Sequence, residues 1–131
     1  MGTSFYMQDR QLTRDVKEFQ EKYAQINIEM PRFHIGKTSG GWKPLFRTSL
    51  LYSSIKEIKK LYDSDARLQI VDEYDNIYDW NEFKTRVLEF GKDGKTHIGL
   101  DSEDMKYVLD DEGYEFAISS GDWEWLDEKV T

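Results

Sequence analysis

Polar and apolar positions alternate in the opening stretch MGTSFYMQD, with Ser4 and Tyr6 on one side and Phe5 and Met7 on the other. That period of two predicts a short strand covered on both faces. In TRDVKEFQEKYAQIN the period changes, and Val16, Phe19, Tyr23 and Ile26 fall at helical spacing behind Thr13, a suitable N-cap. Pro31 prevents that helix from continuing. The run RFHIGK, then Gly40 and Gly41, then WKPLFRTSLLY, reads as a hairpin whose second strand is near an edge or irregular because it carries Pro44. Ser54 and Glu57 form a capping-box pair ahead of Ile55, Ile58, Leu61 and Tyr62, which predicts a second helix. RLQIV returns as a strand. Asp79 and Glu82 repeat the capping-box spacing before Trp80, Phe83, Val87, Leu88 and Phe90, and Gly91 sits where a C-terminal glycine belongs. A second hairpin is predicted in KYVLDDEGYEFAIS, turning at Gly113 with Tyr114, Phe116 and Ile118 alternating. In the final GDWEWLDEKVT, at least one of Trp123 and Trp125 is expected on the core.

These elements define an α+β fold: a mostly antiparallel sheet from two hairpins and flanking strands, with two or three helices packed on it. A chain of 131 residues suits a single domain, 1–131, burying roughly two thirds of its unfolded surface. Aromatic residues make up 15% of a chain that is 34% charged, which argues against disorder because they supply burial that disordered segments lack. No apolar run of membrane-spanning length and no leader pattern occurs, so no membrane association and a cytoplasmic location are expected. There is no cysteine, and His34 and His97 are isolated, so neither a structural metal nor a cofactor is expected.

Charge changes the picture more than composition does. The net charge of −8 opposes direct binding to nucleic acid. Its distribution is uneven: residues 1–65 carry +3 and residues 66–131 carry −11. Opposite-signed halves allow a homodimer, and equally allow pairing within one chain. Against this background residues 32–47 stand out, with Arg32, Lys37, Lys43 and Arg47 and no acid. Gly40 and Gly41 permit close backbone approach, Thr38 and Ser39 add hydroxyls, and Trp42 offers a face for stacking. A ligand-binding set of His34, Lys37, Thr38, Ser39, Gly40, Gly41, Trp42 and Arg47 would therefore suit a small anionic, base-bearing molecule. The competing reading is a plain hairpin turn with Trp42 in the core. GKTSGG is not a P-loop, because Pro31 occupies the place of its first glycine. HIGK is similar to the HIGH box of one class of aminoacyl-tRNA synthetases, but a single domain of this size lacks the fold that houses that box.

Residues 101–131 carry 11 acids against two lysines, a density that either imitates a phosphate backbone or solvates a surface. Asp101, Glu103, Asp104, Asp110, Asp111 and Glu112 are the candidates for docking on a partner protein. Neither acidic run has calcium-loop spacing. No catalytic constellation emerges: His34 beside Thr38 or Ser39 reads as structural.

MGTSFY, HIGKTSGGW at 34–42, IVDEYDN at 70–76 with the following EF, and DDEGYEF at 110–116 together resemble a family of small phage-encoded accessory proteins. The resemblance runs over most of the chain and is strongest at His34, Ile35, Gly36, Lys37, Ser39, Gly41 and Trp42. Many relatives carry a cysteine pair between the first strand and the histidine motif, suggesting a zinc knuckle. Here the helix from about Thr13 to Ile26 takes that place, so a zinc role does not carry over. The resemblance implies an accessory protein acting in an infected bacterium, where such proteins commonly bind and block something of the host. Three functions follow as expectations. The first is capture of a nucleotide-type anion, such as a host immune signalling nucleotide. The second is acidic inhibition of a host nuclease or other defence enzyme, and the third a small enzyme acting on a nucleotide.

Overall fold

A computed structural model describes residues 2–119, in the order β1 (Thr3–Asp9), α1 (Arg10–Lys22), β2 (Arg32–Thr38), β3 (Leu45–Arg47), α2 (Ile55–Ser64), β4 (Leu68–Asp72), β5 (Ile77–Tyr78), α3 (Trp80–Phe83, continuing as a π-helical segment Lys84–Glu89), β6 (Met105–Leu109) and β7 (Glu115–Ser119). Trp123 and Trp125, and the acids beyond Ser119, lie outside the described residues. The strands form one sheet ordered β5-β4-β1-β2-β3-β7-β6. Every pairing is antiparallel except that of β3 with β7, where Leu45 to Arg47 run parallel to Glu115 to Ala117. The fold is α+β, as the patterning predicts.

One face of the sheet makes the main core. Phe5, Met7, Ile35, Phe46, Ile70 and Phe116 pack under Ile55 and Ile58 of α2 and under Phe83, Val87 and Leu88 of the third helix. Phe46 touches both Phe83 and Phe116 ring to ring. The opposite face carries a smaller cluster of Leu45, Met105, Tyr107 and Ala117. Strand β7 is thus buried on both sides over Glu115 to Ala117, the pattern of an interior strand.

Four expectations need correction. Thr13 is not the N-cap of α1: the helix starts at Arg10, and Asp9 caps it by accepting from the N–H groups of Gln11 and Leu12. Aspartate is the better cap, and Thr13 ends up buried within the first turns. The apolar positions of α1 do not enter the core either, since Phe19, Tyr23 and Ile26 are exposed and Val16 is only half-buried. Strand β3 is interior rather than near an edge, because Pro44 lies just before it and removes no donor from its ladder. Phe90 is exposed rather than core, since the chain turns as a π-helix over Lys84–Glu89. The wider winding keeps Val87 and Leu88 inward and rotates Phe90 off the buried face.

The Asp79–Glu82 capping box forms in full and the Ser54–Glu57 one in part, because the Glu57 carboxylate accepts from the Ser53 N–H instead of the Ser54 N–H. The Ser54 hydroxyl accepts from the N–H of Glu57 at the start of α2. Asp79 accepts from the N–H of Glu82, whose carboxylate accepts from the N–H of Asp79 in return. The second hairpin turns through Asp110–Tyr114, with Gly113 at a positive φ.

Candidate functional site

At the end of the sheet where β1 begins and β2 and β4 finish, a cleft of about 630 Å³ opens. That volume lies in the usual range for small-molecule sites. One wall is the predicted turn, Thr38 to Trp42. Another is the π-helical segment, which presents Arg86 and Val87, followed by Phe90. The third is the end of β4 and the turn after it, with Asp72, Tyr74 and Tyr78. Phe5 forms part of the floor, so five aromatic rings line the space: Phe5, Trp42, Tyr74, Tyr78 and Phe90. π-Helical turns are rare, and they occur often at functional sites.

The turn is clamped rather than loose. Lys95 N–H donates to the Gly41 carbonyl at 2.8 Å, and Lys43 N–H donates to the Lys95 carbonyl at 2.9 Å, so Trp42 and Lys95 form a short parallel bridge. Gly94 makes this approach possible, because a Cβ there would lie 2.5 Å from the Trp42 carbonyl carbon. Gly41 has φ +81°, a conformation that disfavours any side chain. Both glycines of the turn remain exposed and line the cleft.

Asp72 sits in the cleft floor, buried, with both oxygens occupied. Oδ1 accepts from the N–H groups of Tyr74 and Asn76, and Oδ2 accepts from Asn76 Nδ2 and the Tyr78 hydroxyl. Burial pushes its carboxyl up, but these bonds outweigh burial and hold it below the usual carboxylate range. Burial and the bond to Asp72 push the Tyr78 phenol up. Asp72 is therefore a brace: it folds the turn through Asp75, at φ 65°, that carries exposed Tyr74 onto the rim. Arg86 is exposed and takes part in no ion pair among the described residues.

The structure divides the sequence-defined set among three places. Thr38, Ser39, Gly40, Gly41 and Trp42 line the cleft. Lys37 does not, because side chains of a strand alternate: it pairs across the ladder with Leu45, on the face opposite the main core, and is buried. His34 and Arg47 border a separate hollow of about 530 Å³ with Arg32 and Phe33 and the segment Thr48–Tyr52. There His34 stacks on Tyr6 at 5.0 Å, and Arg32 lies over the same ring at 4.1 Å. Burial, with the charges of Lys37, Arg47 and Arg32, lowers His34 to about 4, so it is neutral near pH 7 and brings no charge to an anion.

Sequence reasoning missed Asp72, Tyr74, Tyr78, Arg86, Phe90 and Asp93 at the cleft. The Asp-Asn turn after IVD could have shown that Tyr74 and Tyr78 flank a hairpin. It also missed a buried polar cluster on the other side of Trp42. The His97 ring stacks with Trp42 at 4.7 Å and with Tyr107 at 5.6 Å. Its Nδ1 faces Glu115 Oε2, and Glu115 also accepts from the His97 N–H and the Thr96 hydroxyl. Burial pushes the Glu115 carboxyl up, yet those donors outweigh it and hold it below its usual range.

Five of the six acidic candidates are exposed, all but Asp110, and three of the six also make local contacts. Asp110 accepts from the N–H groups of Ile55, Glu112 and Tyr114, tying the second hairpin to the start of α2. Asp111 pairs with Lys56 at 2.9 Å, and Asp101 accepts from the Tyr107 N–H. Glu103, Asp104 and Glu112 are exposed. Asp110, Asp111 and Glu112 place oxygens within 4.8 Å of one another, a closeness explained by the tight turn they build. No helix among the described residues is long and apolar enough to cross a membrane. Comparisons with protein-family models, with curated proteins and with solved structures return no match.

Proposed function

We propose that the protein is a non-enzymatic binding protein that captures a nucleotide-type anion in the cleft between the Thr38–Trp42 turn and the π-helical segment. One observation carries the reading: a single hollow joins two exposed glycines, a guanidinium and five aromatic side chains. A phosphate oxygen would meet Arg86 and the N–H groups of Gly40 and Gly41, while the base would stack on Trp42 or on the exposed rings of Tyr74 and Phe90. Arg86 takes over the neutralising role that the sequence suggested for Lys37 and Arg47.

The charge lining the cleft narrows the ligand. Among the described residues, Arg86 is the one basic side chain lining it, against the carboxylates of Asp72 and Asp93. A triphosphate, or the nearly doubly charged monoester of a nucleoside monophosphate, would carry more charge than Arg86 can balance, whereas the single charge of a cyclic mononucleotide's phosphodiester would not. In the setting that the sequence resemblance implies, a phage accessory protein holding a host signalling nucleotide would need only tight binding.

Thermal unfolding of the purified protein against mononucleotides, cyclic mono- and dinucleotides, triphosphates and short oligonucleotides tests this. A ligand of the folded state at about a hundred times its Kd adds about 2.7 kcal/mol, a rise of about 10 °C in a domain of this size. A shift with a singly charged nucleotide that disappears in Arg86→Ala supports the reading. No shift with any ligand, or a shift that Arg86→Ala and Trp42→Ala leave intact, overturns it.

A further inference from the structure

Helix α1 carries its apolar residues outward. Leu12, Phe19 and Tyr23 are 48%, 48% and 36% exposed, and Phe19 rests on Tyr23 at 4.7 Å. Its contact with its own domain runs along a neighbouring line, where Thr13 is buried and Val16 and Gln20 are half-buried. The helix is not a fraying end: Asp9 caps its start, and Gln20 binds the chain beyond it through the Ile26 carbonyl and the Ile28 N–H. A well-anchored helix with aromatic and leucine side chains in water is an interaction surface rather than an accident of packing.

Leu12, Phe19 and Tyr23, with the half-buried Val16 at the inner border of their stripe, follow a four-three-four spacing, the repeat that packs one helix along another. Asp15 and Lys22 border the same edge of that stripe, one near each end. A parallel copy would place the Asp15 and Lys22 of the two chains on opposite edges of the seam, where neither meets the other. An antiparallel copy sets each Asp15 beside the other copy's Lys22, twice by symmetry, and lays Leu12 against Tyr23. The edge is thus complementary to its own reverse, as a two-fold interface requires.

We propose that α1 is a self-association surface on which a second copy of this chain docks, helix against helix and antiparallel. This goes beyond the ligand reading and does not depend on it. A contact limited to one helix of 13 residues is small, so the dimer is a concentration-dependent one.

Sedimentation equilibrium of the full chain across a wide concentration range, at low and high salt, tests it. The expected result is a monomer–dimer equilibrium that Phe19→Glu abolishes. Asp15→Lys should weaken it about tenfold, and adding Lys22→Asp to that variant should restore it, because two exposed ion pairs together are worth about 1 kcal/mol or somewhat more. All three side chains project from the helix surface, and an unchanged thermal midpoint at low concentration certifies that each variant is folded. A strict monomer at every concentration overturns the proposal, whether the stripe is covered by the rest of its own chain or by another protein. A dimer indifferent to Phe19→Glu, or a charge swap that fails to restore association, overturns it as well.

Discussion

The Nδ1 atom of His97 lies 2.7 Å from Oε2 of Glu115, and both residues are buried, at 2% and 0% exposure. The same carboxylate accepts from the Thr96 hydroxyl and the His97 N–H, so it ties the Thr96–His97 loop to an interior strand. Glu115→Ala would strip several buried donors of their acceptor at once. A loss of about 3 kcal/mol is expected in urea unfolding, since buried donors left unsatisfied cost their full desolvation. Glu115→Gln, which keeps one acceptor, should lose less. A loss below about 1 kcal/mol for the alanine variant would contradict the buried network.

His34 makes stability depend on pH. Its folded value of about 4 lies below the ordinary 6.5, so the neutral imidazole is the form the fold prefers. The stabilisation is complete above pH 6.5 and is lost as pH falls toward 4, by about 3 kcal/mol in all. Glu115, also held low, adds its own loss only below the usual carboxylate range. Between pH 6.5 and 5 the slope therefore belongs to His34, and His34→Gln should flatten it. Denaturation midpoints measured at half-unit steps for both proteins decide the point.

Gly94→Ala would drive a methyl group into the backbone of Trp42 and Lys43, which cannot yield as a flexible side chain can. About 2 kcal/mol of destabilisation is expected, as for other overpacking changes. The bridge between Trp42 and Lys95 should break with it, and the Trp42 indole resonance should move. An unshifted indole signal with full stability would show that the turn is not clamped as described.

Arg86→Ala separates the ligand from the fold. The side chain is exposed and outside every ion pair among the described residues, so the change should leave stability within about 0.5 kcal/mol. Binding of a nucleotide should nonetheless fall at least tenfold, because a charge-assisted bond contributes about 1.5–3 kcal/mol. Isothermal titration on the variant measures the second quantity, and chemical denaturation the first.

How much of this the sequence reveals differs from element to element. Asp79 and Glu82 announce a helix because capping is local chemistry, written within four residues. The alternation of Phe5 and Met7 announces a strand for the same reason. The fate of Phe90 is not legible, because helical spacing assumes a constant winding and the π-turn changes it midway. Likewise, no local pattern says that Trp42, on the cleft wall, stacks on the distant His97. The glycine turn is legible as a candidate, but its neighbours across the cleft, Arg86, Tyr74 and Tyr78, come from β4 onward, and only the tertiary fold brings them to it. The outward stripe of α1 is the opposite case: the pattern is plain, and the assumption that an apolar stripe faces its own core is what fails.

The parallel pairing of β3 with β7 governs the order in which the molecule can be assembled. Three residue pairs, Leu45 with Glu115 through Arg47 with Ala117, join the five-strand portion to the second hairpin. Each pair spans roughly seventy positions of chain, so this seam closes the longest loop in the sheet and rewards it with the shortest ladder of any long-range contact. The β2–β3, β4–β5 and β6–β7 pairings close locally, whereas β1 with β4 and the β3–β7 seam both join distant parts of the chain. The Trp42 turn, which leads directly into β3, therefore reaches its final place only when the seam has closed.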